Sequence, residues 1–201
     1  MINIKKAEIG DVNSIVAIHK QAFPDFFLTT LGDSFLRLYY GCMCKCDEAV
    51  ALCAVEEGKV VGFALSALKS AGFNSRLIKS NMMPFMGEAI KLLFTRPMSL
   101  VRLVRNFTKK SSSIEDDGNY AELFSIGVSP SCQGKGVGSL LLVENERVIT
   151  KWGGVKQISL TTDKNNNESA IAFYQKNGYR PLYEFTAYPE REMYRFIKDL
   201  E

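Results

Sequence analysis

The chain has 201 residues, of which 46% are hydrophobic and 23% charged, proportions that exclude a disordered, collagen-like or low-complexity protein. Its 25 Lys/Arg against 22 Asp/Glu leave too small a surplus to mark a nucleic-acid binder. The N-terminus lacks a signal-like apolar run, and no apolar stretch approaches the ~20 residues that span a bilayer. The expectation is one domain over residues 1–201, cytoplasmic, with no membrane span and no nucleic-acid partner.

Ile2 to Lys6 alternates like a short strand. Val12, Ile15, Val16, Ile18, Ala22 and Phe23 follow at helical spacing behind Asp11, and Pro24 ends that helix. A second helix starts near Gly32-Asp33 and carries Phe35, Leu36, Leu38, Tyr39 and Tyr40. Ala49–Glu56 and Val60–Ser66 read as a β-hairpin about a Glu57-Gly58 turn. Cys42, Cys44 and Cys46 lie one residue apart, too tight for a zinc set, and the chain has one histidine. With Cys53 and Cys132 they are expected as reduced thiols, and no metal is expected.

Residues 69–118 interrupt this rhythm. Pro84 and Pro97 each suit the first turn of a helix. From Met98, Leu100, Val101, Leu103, Val104 and Phe107 fall on one side of a helix, with Arg102, Arg105 and Lys109 on the other. Residues 69–110 hold nine Lys/Arg and one acid, Glu88, so the segment carries +8 and the rest of the chain −5. Three fates are open for the basic face: attraction of an anionic acceptor, plain solvation while the apolar face packs on the domain or at a homodimer contact, or docking to an anionic membrane. Ser111 to Gly118 reads as an exposed loop.

Strand and helix then alternate: Tyr120–Val128, Gly136–Trp152, Gln157–Thr162, Ser169–Asn177 closed by Gly178, and a final pair, Tyr179–Tyr188 and Glu192–Ile197, around Pro189. The class is α+β, with a mixed, mostly antiparallel twisted sheet, helices on both faces, and a helical insertion between the third and fourth strands.

The most informative stretch is Gln133-Gly134-Lys135-Gly136-Val137-Gly138-Ser139. Glycines at a strand-to-helix junction leave backbone N–H groups bare at the positive end of a helix dipole, a site suited to a diphosphate. The alternative is a tight turn that binds nothing. The run lacks the Gly-Lys-Ser/Thr ending of a P-loop, and its Gly-x-Gly-x-Gly spacing, two-thirds along the chain, is not that of a dinucleotide-binding fold.

Gln133 to Gly138 resembles the Q/R-x-x-G-x-G/A motif of the GNAT superfamily of acetyl-CoA-dependent N-acetyltransferases. Asn167-Glu168-Ser169-Ala170-Ile171-Ala172-Phe173-Tyr174-Gln175-Lys176-Asn177-Gly178-Tyr179 looks like the family's N-x-x-A-x-x-F-Y-x-x-x-G-F/Y segment. The order of elements is also similar, apart from the long segment 69–118. The resemblance implies backbone contacts from Ile126, Gly127 and Val128 to the pantetheine arm of acetyl-CoA. It implies a pyrophosphate on the N–H groups of Gly134, Gly136, Val137, Gly138 and Ser139. Gln133 would shape the loop, Lys135 and Lys176 would face the outer phosphates, and Asn167 would touch the arm.

The implied reaction is direct attack of a primary amine on the thioester. Tyr174 is where the family keeps an acid for the departing thiolate. Glu122 is the expected base: alternation puts it on the face of Phe124 and Ile126, and it stands eleven residues before Gln133 as in the histone-acetylating branch. Tyr120 and Tyr188 are alternatives, and His19, among apolar neighbours, reads as structural. A second functional class stays open, a non-catalytic domain that senses acyl-CoA. The acceptor is expected to be a small amine, an amino sugar or a protein amine.

Overall fold

The computed structural model describes residues 1–108, 116–152, 154–187 and 189–200, with the side chains of 106–108 excepted. Lys109, Lys110, the stretch 111–115 and Tyr188 therefore lie outside the described residues. Seven strands form one sheet: β1 (Asn3–Lys6), β2 (Ala49–Glu56), β3 (Lys59–Ala67), β4 (Ala121–Val128), β5 (Gln157–Asp163), β6 (Arg180–Ala187) and β7 (Arg191–Asp199). Their order is β1-β2-β3-β4-β5-β7-β6, and every neighbouring pair is antiparallel except β4 and β5.

The helices are α1 (Val12–Ala22), α2 (Phe27–Thr30), α3 (Asp33–Lys45), α4 (Phe73–Ser80), α5 (Met82–Thr95), α6 (Pro97–Thr108), α7 (Val137–Lys151) and α8 (Glu168–Lys176). Strand residues feed two cores by alternation. Ala51, Cys53, Phe63 and Leu65 join Ile15, Leu36, Tyr40 and Met43 of α1 and α3 on one face. Leu52, Ala54, Ala64 and Leu123 join Leu141, Leu142 and Ile149 of α7 on the other. The expected class and the helices on both faces are those observed.

The structure adds α2 and α4, which the sequence reading left as connections. It also corrects two details. The β3–β4 register slips so that Leu65 pairs with Ser125 and Ser66 with Leu123. Phe124 is the extra residue of a bulge, and a bulge breaks strict alternation. Phe124 stays on the α1/α3 side, stacked on Phe73 of α4 at 5.4 Å, whereas Ile126 packs into the α7 core. The expectation that Glu122, Phe124 and Ile126 share a face fails for Ile126.

The second correction concerns α6. Leu100 and Leu103 pack on the core, but Val101 and Val104 are exposed. Arg102, assigned to the basic outer face, turns inward and sets its guanidinium 4.9 Å from the centre of the Phe27 ring. Ser99 beside it reaches the Thr30 carbonyl at 3.4 Å, so α6 is seated on α2 by its polar edge as well as its leucines. Other cations of the insertion are held too: Arg76 pairs with Glu48 at 2.6 Å, and Arg96 donates to the Thr30 carbonyl at 2.7 Å.

Candidate active site

The sheet opens at its one parallel pair. β4 and β5 are in register only from Ala121 to Leu123, against Ile158 to Leu160. Beyond Leu123 the strands splay, and the β5-facing edge of Ile126, Gly127 and Val128 has no strand partner among the described residues, while the other edge stays paired to Ala64, Phe63 and Gly62. An extended ligand can add itself to such an edge as a strand would. Gly127 lets the sheet close tightly from behind: a Cβ there would stand 2.8 Å from the Phe63 ring and 3.4 Å from that of Phe23.

The glycine loop lies at the mouth of the splay. A short 3-10 turn at Pro130–Cys132 leaves β4, and Gly136 caps α7 in left-handed backbone at φ +80°. Gly134 is also left-handed, at φ +75°. Among the described residues, none of the six consecutive N–H groups from Gly134 to Ser139 has an intrachain acceptor, whereas the next, Leu140, donates to the Gly136 carbonyl at 3.0 Å. A Cβ on Gly134 or Gly136 would meet nothing within 4 Å. Bare donors, open space and the dipole of a 15-residue helix converge on one point, a cradle for an anion. Gly138 has another reason to be small, since a Cβ would touch the Phe173 ring of α8 at 3.3 Å.

The other expected contacts are distributed as follows. Gln133 donates from Nε2 to the Val128 carbonyl at 3.3 Å and so holds the loop to the end of β4. Lys135 and Lys176 are exposed. Asn167 caps the entry to α8; both of its amide bonds are internal, to Thr162 Oγ1 at 2.6 Å and the Asp163 carbonyl at 2.9 Å. It braces the β5–α8 turn.

Tyr174, on α8, packs its ring among Phe173, Tyr179 and Phe196. Burial pushes its phenol up to about 12, and among the described residues the hydroxyl has no hydrogen-bond partner. It is therefore a protonated donor with nothing yet to donate to.

Glu122 sits where β4 and β5 are still paired, 8% exposed. Arg195 of β7 donates to its Oε1 at 2.6 Å, and Ser70, at the start of the insertion, donates to its Oε2. Arg195 also reaches Ser159 Oγ at 3.3 Å, and its Nε lies 3.9 Å from Asp116, an ion pair without a hydrogen bond. Tyr120 and Tyr183 both donate to Asp116. Burial opposes charge on Asp116, but those hydroxyls, the Gly118 N–H and Arg195 outweigh it and hold the carboxyl below its usual range. Burial and the bond to Asp116 push the Tyr120 phenol well up. Tyr120, offered as an alternative base, is thus a committed proton donor. Tyr188, the other alternative, lies outside the described residues.

Arg195, Asp116 and Ser70 were not singled out from the sequence. Arg195 carried a signal: it falls between Met193 and Ile197 on one face of a strand, and a charge among buried apolar positions needs a partner. A second wall escaped notice as well. Arg191 pairs with Asp163 at 2.6 Å and lies 5.5 Å from the Phe26 ring, joining the end of β5 to the α1–α2 connection beside Gly127. His19 is fully buried, with Nδ1 2.6 Å from the Tyr40 hydroxyl, and desolvation lowers it to about 4. It is a neutral core histidine at neutral pH.

The profile of the acetyltransferase (GNAT) family matches residues 13–179. The chain belongs to the GNAT acetyltransferase family. Its fold is shared with solved GNAT structures at low identity. An N-acetyltransferase from Staphylococcus aureus Mu50 is 17% identical with a TM-score of 0.65, over 100% of this chain and 99% of that one. The ribosomal-protein-S18-alanine N-acetyltransferase of Escherichia coli is 16% identical with a TM-score of 0.63, over 100% and 95%. The PaiA N-acetyltransferase of Thermoplasma acidophilum, solved in complex with coenzyme A, is 15% identical with a TM-score of 0.61, over 99% of both chains. A comparison with curated protein sequences finds no match. As a GNAT protein the chain is an acetyltransferase.

Proposed function

We propose that the protein transfers an acetyl group from acetyl-CoA to a primary amine by direct attack. The observation that carries this reading is the run of six unsatisfied N–H groups beside an unpaired strand edge, a pairing of diphosphate cradle and extended-arm slot. Gly134, Gly136, Val137, Gly138 and Ser139 would hold the diphosphate, and Ile126, Gly127 and Val128 the pantetheine arm. Lys135 and Lys176 would meet the outer phosphates, and Asn167 would offer Oδ1 to the arm.

The chemistry divides into three jobs. The amine must lose a proton, and Glu122, directly or through a water, is the acceptor we assign; Arg195 and Ser70 orient its carboxylate. Backbone N–H groups near Gly127 stabilise the oxygen of the attacked carbonyl. Tyr174 donates a proton to the departing thiolate. Phe23, Phe26 and Arg191 form the wall along which the amine approaches.

A test is release of free CoA thiol from acetyl-CoA across a panel of amines, including amino sugars, polyamines and peptides. Turnover above the hydrolysis background with at least one amine is expected. Tight acetyl-CoA binding without transfer to any amine class would favour the sensor reading instead.

A further inference from the structure

Helix α5 is apolar on two sides, and the fold covers one. Phe85 and Leu92 are buried, Phe85 meeting Phe35 of α3 at 6.0 Å between ring centres. On the opposite side Met83, Met86, Ile90 and Phe94 stand open to solvent, Phe94 at 81% exposure. Helix α6, packed on α5, continues this with Met98 at 79% and Val101 at 44%. Isolated exposed apolar residues are ordinary; six on two helices packed together mark an interaction surface.

Charge selects the occupant. The same segment carries +8 against −5 for the rest of the chain. Its one acid, Glu88, accepts from Ser34 at 2.7 Å and faces Lys91. Lys79 and Arg105 are exposed at either end of the hairpin. A second copy meeting this one through the same face would bring exposed cations such as Lys91 and Arg105 against their own kind, so self-association is opposed. A Met-rich apolar face flanked by cations suits an anionic fluid layer.

We propose that the outer face of the α5–α6 hairpin docks the protein onto an anionic lipid bilayer. Met83, Phe94 and Met98 enter the headgroup boundary, and the basic side chains meet lipid phosphates. No helix among the described residues is long and apolar enough to cross a membrane, so the mode is lying on the surface. This inference stands apart from the proposed transfer reaction.

Vesicle flotation tests it, with phosphatidylcholine alone and with 30% phosphatidylglycerol. The full chain should float with the anionic vesicles only, and less in 0.5 M salt. Phe94→Ser with Met98→Ser, both at open positions, should weaken partitioning by at least tenfold. Lys79→Gln with Arg105→Gln should weaken it about 25-fold at low salt. Each variant should keep the wild-type melting profile and acetyl-CoA affinity. No flotation with either vesicle, equal flotation with both, or a stable dimer in sedimentation that Phe94→Ser disperses would overturn the proposal.

Discussion

Replacing Glu122 by Gln separates its proton chemistry from its structural work. The amide keeps an oxygen for the 2.6 Å bond from Arg195, and the Ser70 hydroxyl can turn to accept from the new NH2. What is lost is the charge assistance in a pair whose side chains are only 15% and 11% exposed. A hydrogen bond to a charged group contributes about 1.5–3 kcal/mol, so the fold should lose up to ~3 kcal/mol, roughly 2–12 °C in melting temperature for a chain of this size. Removing the carboxylate altogether would cost more, about 3–5 kcal/mol, because Arg195 would lose its close ion pair and keep only Ser159 and the looser contact with Asp116. Turnover should fall ~10²–10⁴-fold near pH 7, the usual contribution of a general base. A lysine-like amine has a pKa near ~10.4, so each pH unit below that supplies about ten times more neutral nucleophile. Single-turnover rates for Glu122→Gln should therefore climb about tenfold per pH unit from 7 to 10 while those of the wild type flatten. A wild-type-to-variant ratio constant across that range would refute the assignment and leave Glu122 as a partner for Arg195.

Tyr174→Phe should slow turnover at least tenfold while leaving acetyl-CoA affinity within about twofold, since among the described residues its hydroxyl has no hydrogen-bond partner to lose; unchanged turnover in single-turnover kinetics would remove it as the acid. His19 is lowered to about 4 by burial. Between its unfolded value of ~6.5 and 4 the unfolded chain binds more protons, so stability falls as pH drops through that window, by about 2–3 kcal/mol at pH 4.5. Urea titrations at pH 7 and 4.5 should show wild type losing that much more than His19→Gln, and equal losses would contradict it.

Much of this was legible before the structure. The glycine loop and the Asn167–Tyr179 segment announce themselves because both are local: the spacing of glycines along the chain is the geometry of the cradle. The strands themselves followed from alternation where alternation holds. It failed at Phe124 because a bulge depends on the register of a neighbouring strand, which no single segment encodes. Arg102 was placed outward because its angular position is shared with Arg105 on an ideal helix, yet the Phe27 ring beneath α6 offers a cation a better seat than water. The ion cluster behind Glu122 draws on residues 70, 116, 122, 159 and 195, and contacts of such sequence separation leave only an indirect trace, as with Arg195 among apolar neighbours.

In the proposed reaction the bare N–H groups at the start of α7 bind the diphosphate of acetyl-CoA. Calorimetric titration of acetyl-CoA into wild type and Gly136→Glu tests it most directly. Position 136 has φ +80° with open space around it, so the substitution carries about 1–2 kcal/mol of backbone strain and places a carboxylate at the cradle. A folded Gly136→Glu protein should bind acetyl-CoA at least a hundredfold more weakly than wild type. Affinity unchanged in that variant would contradict the account.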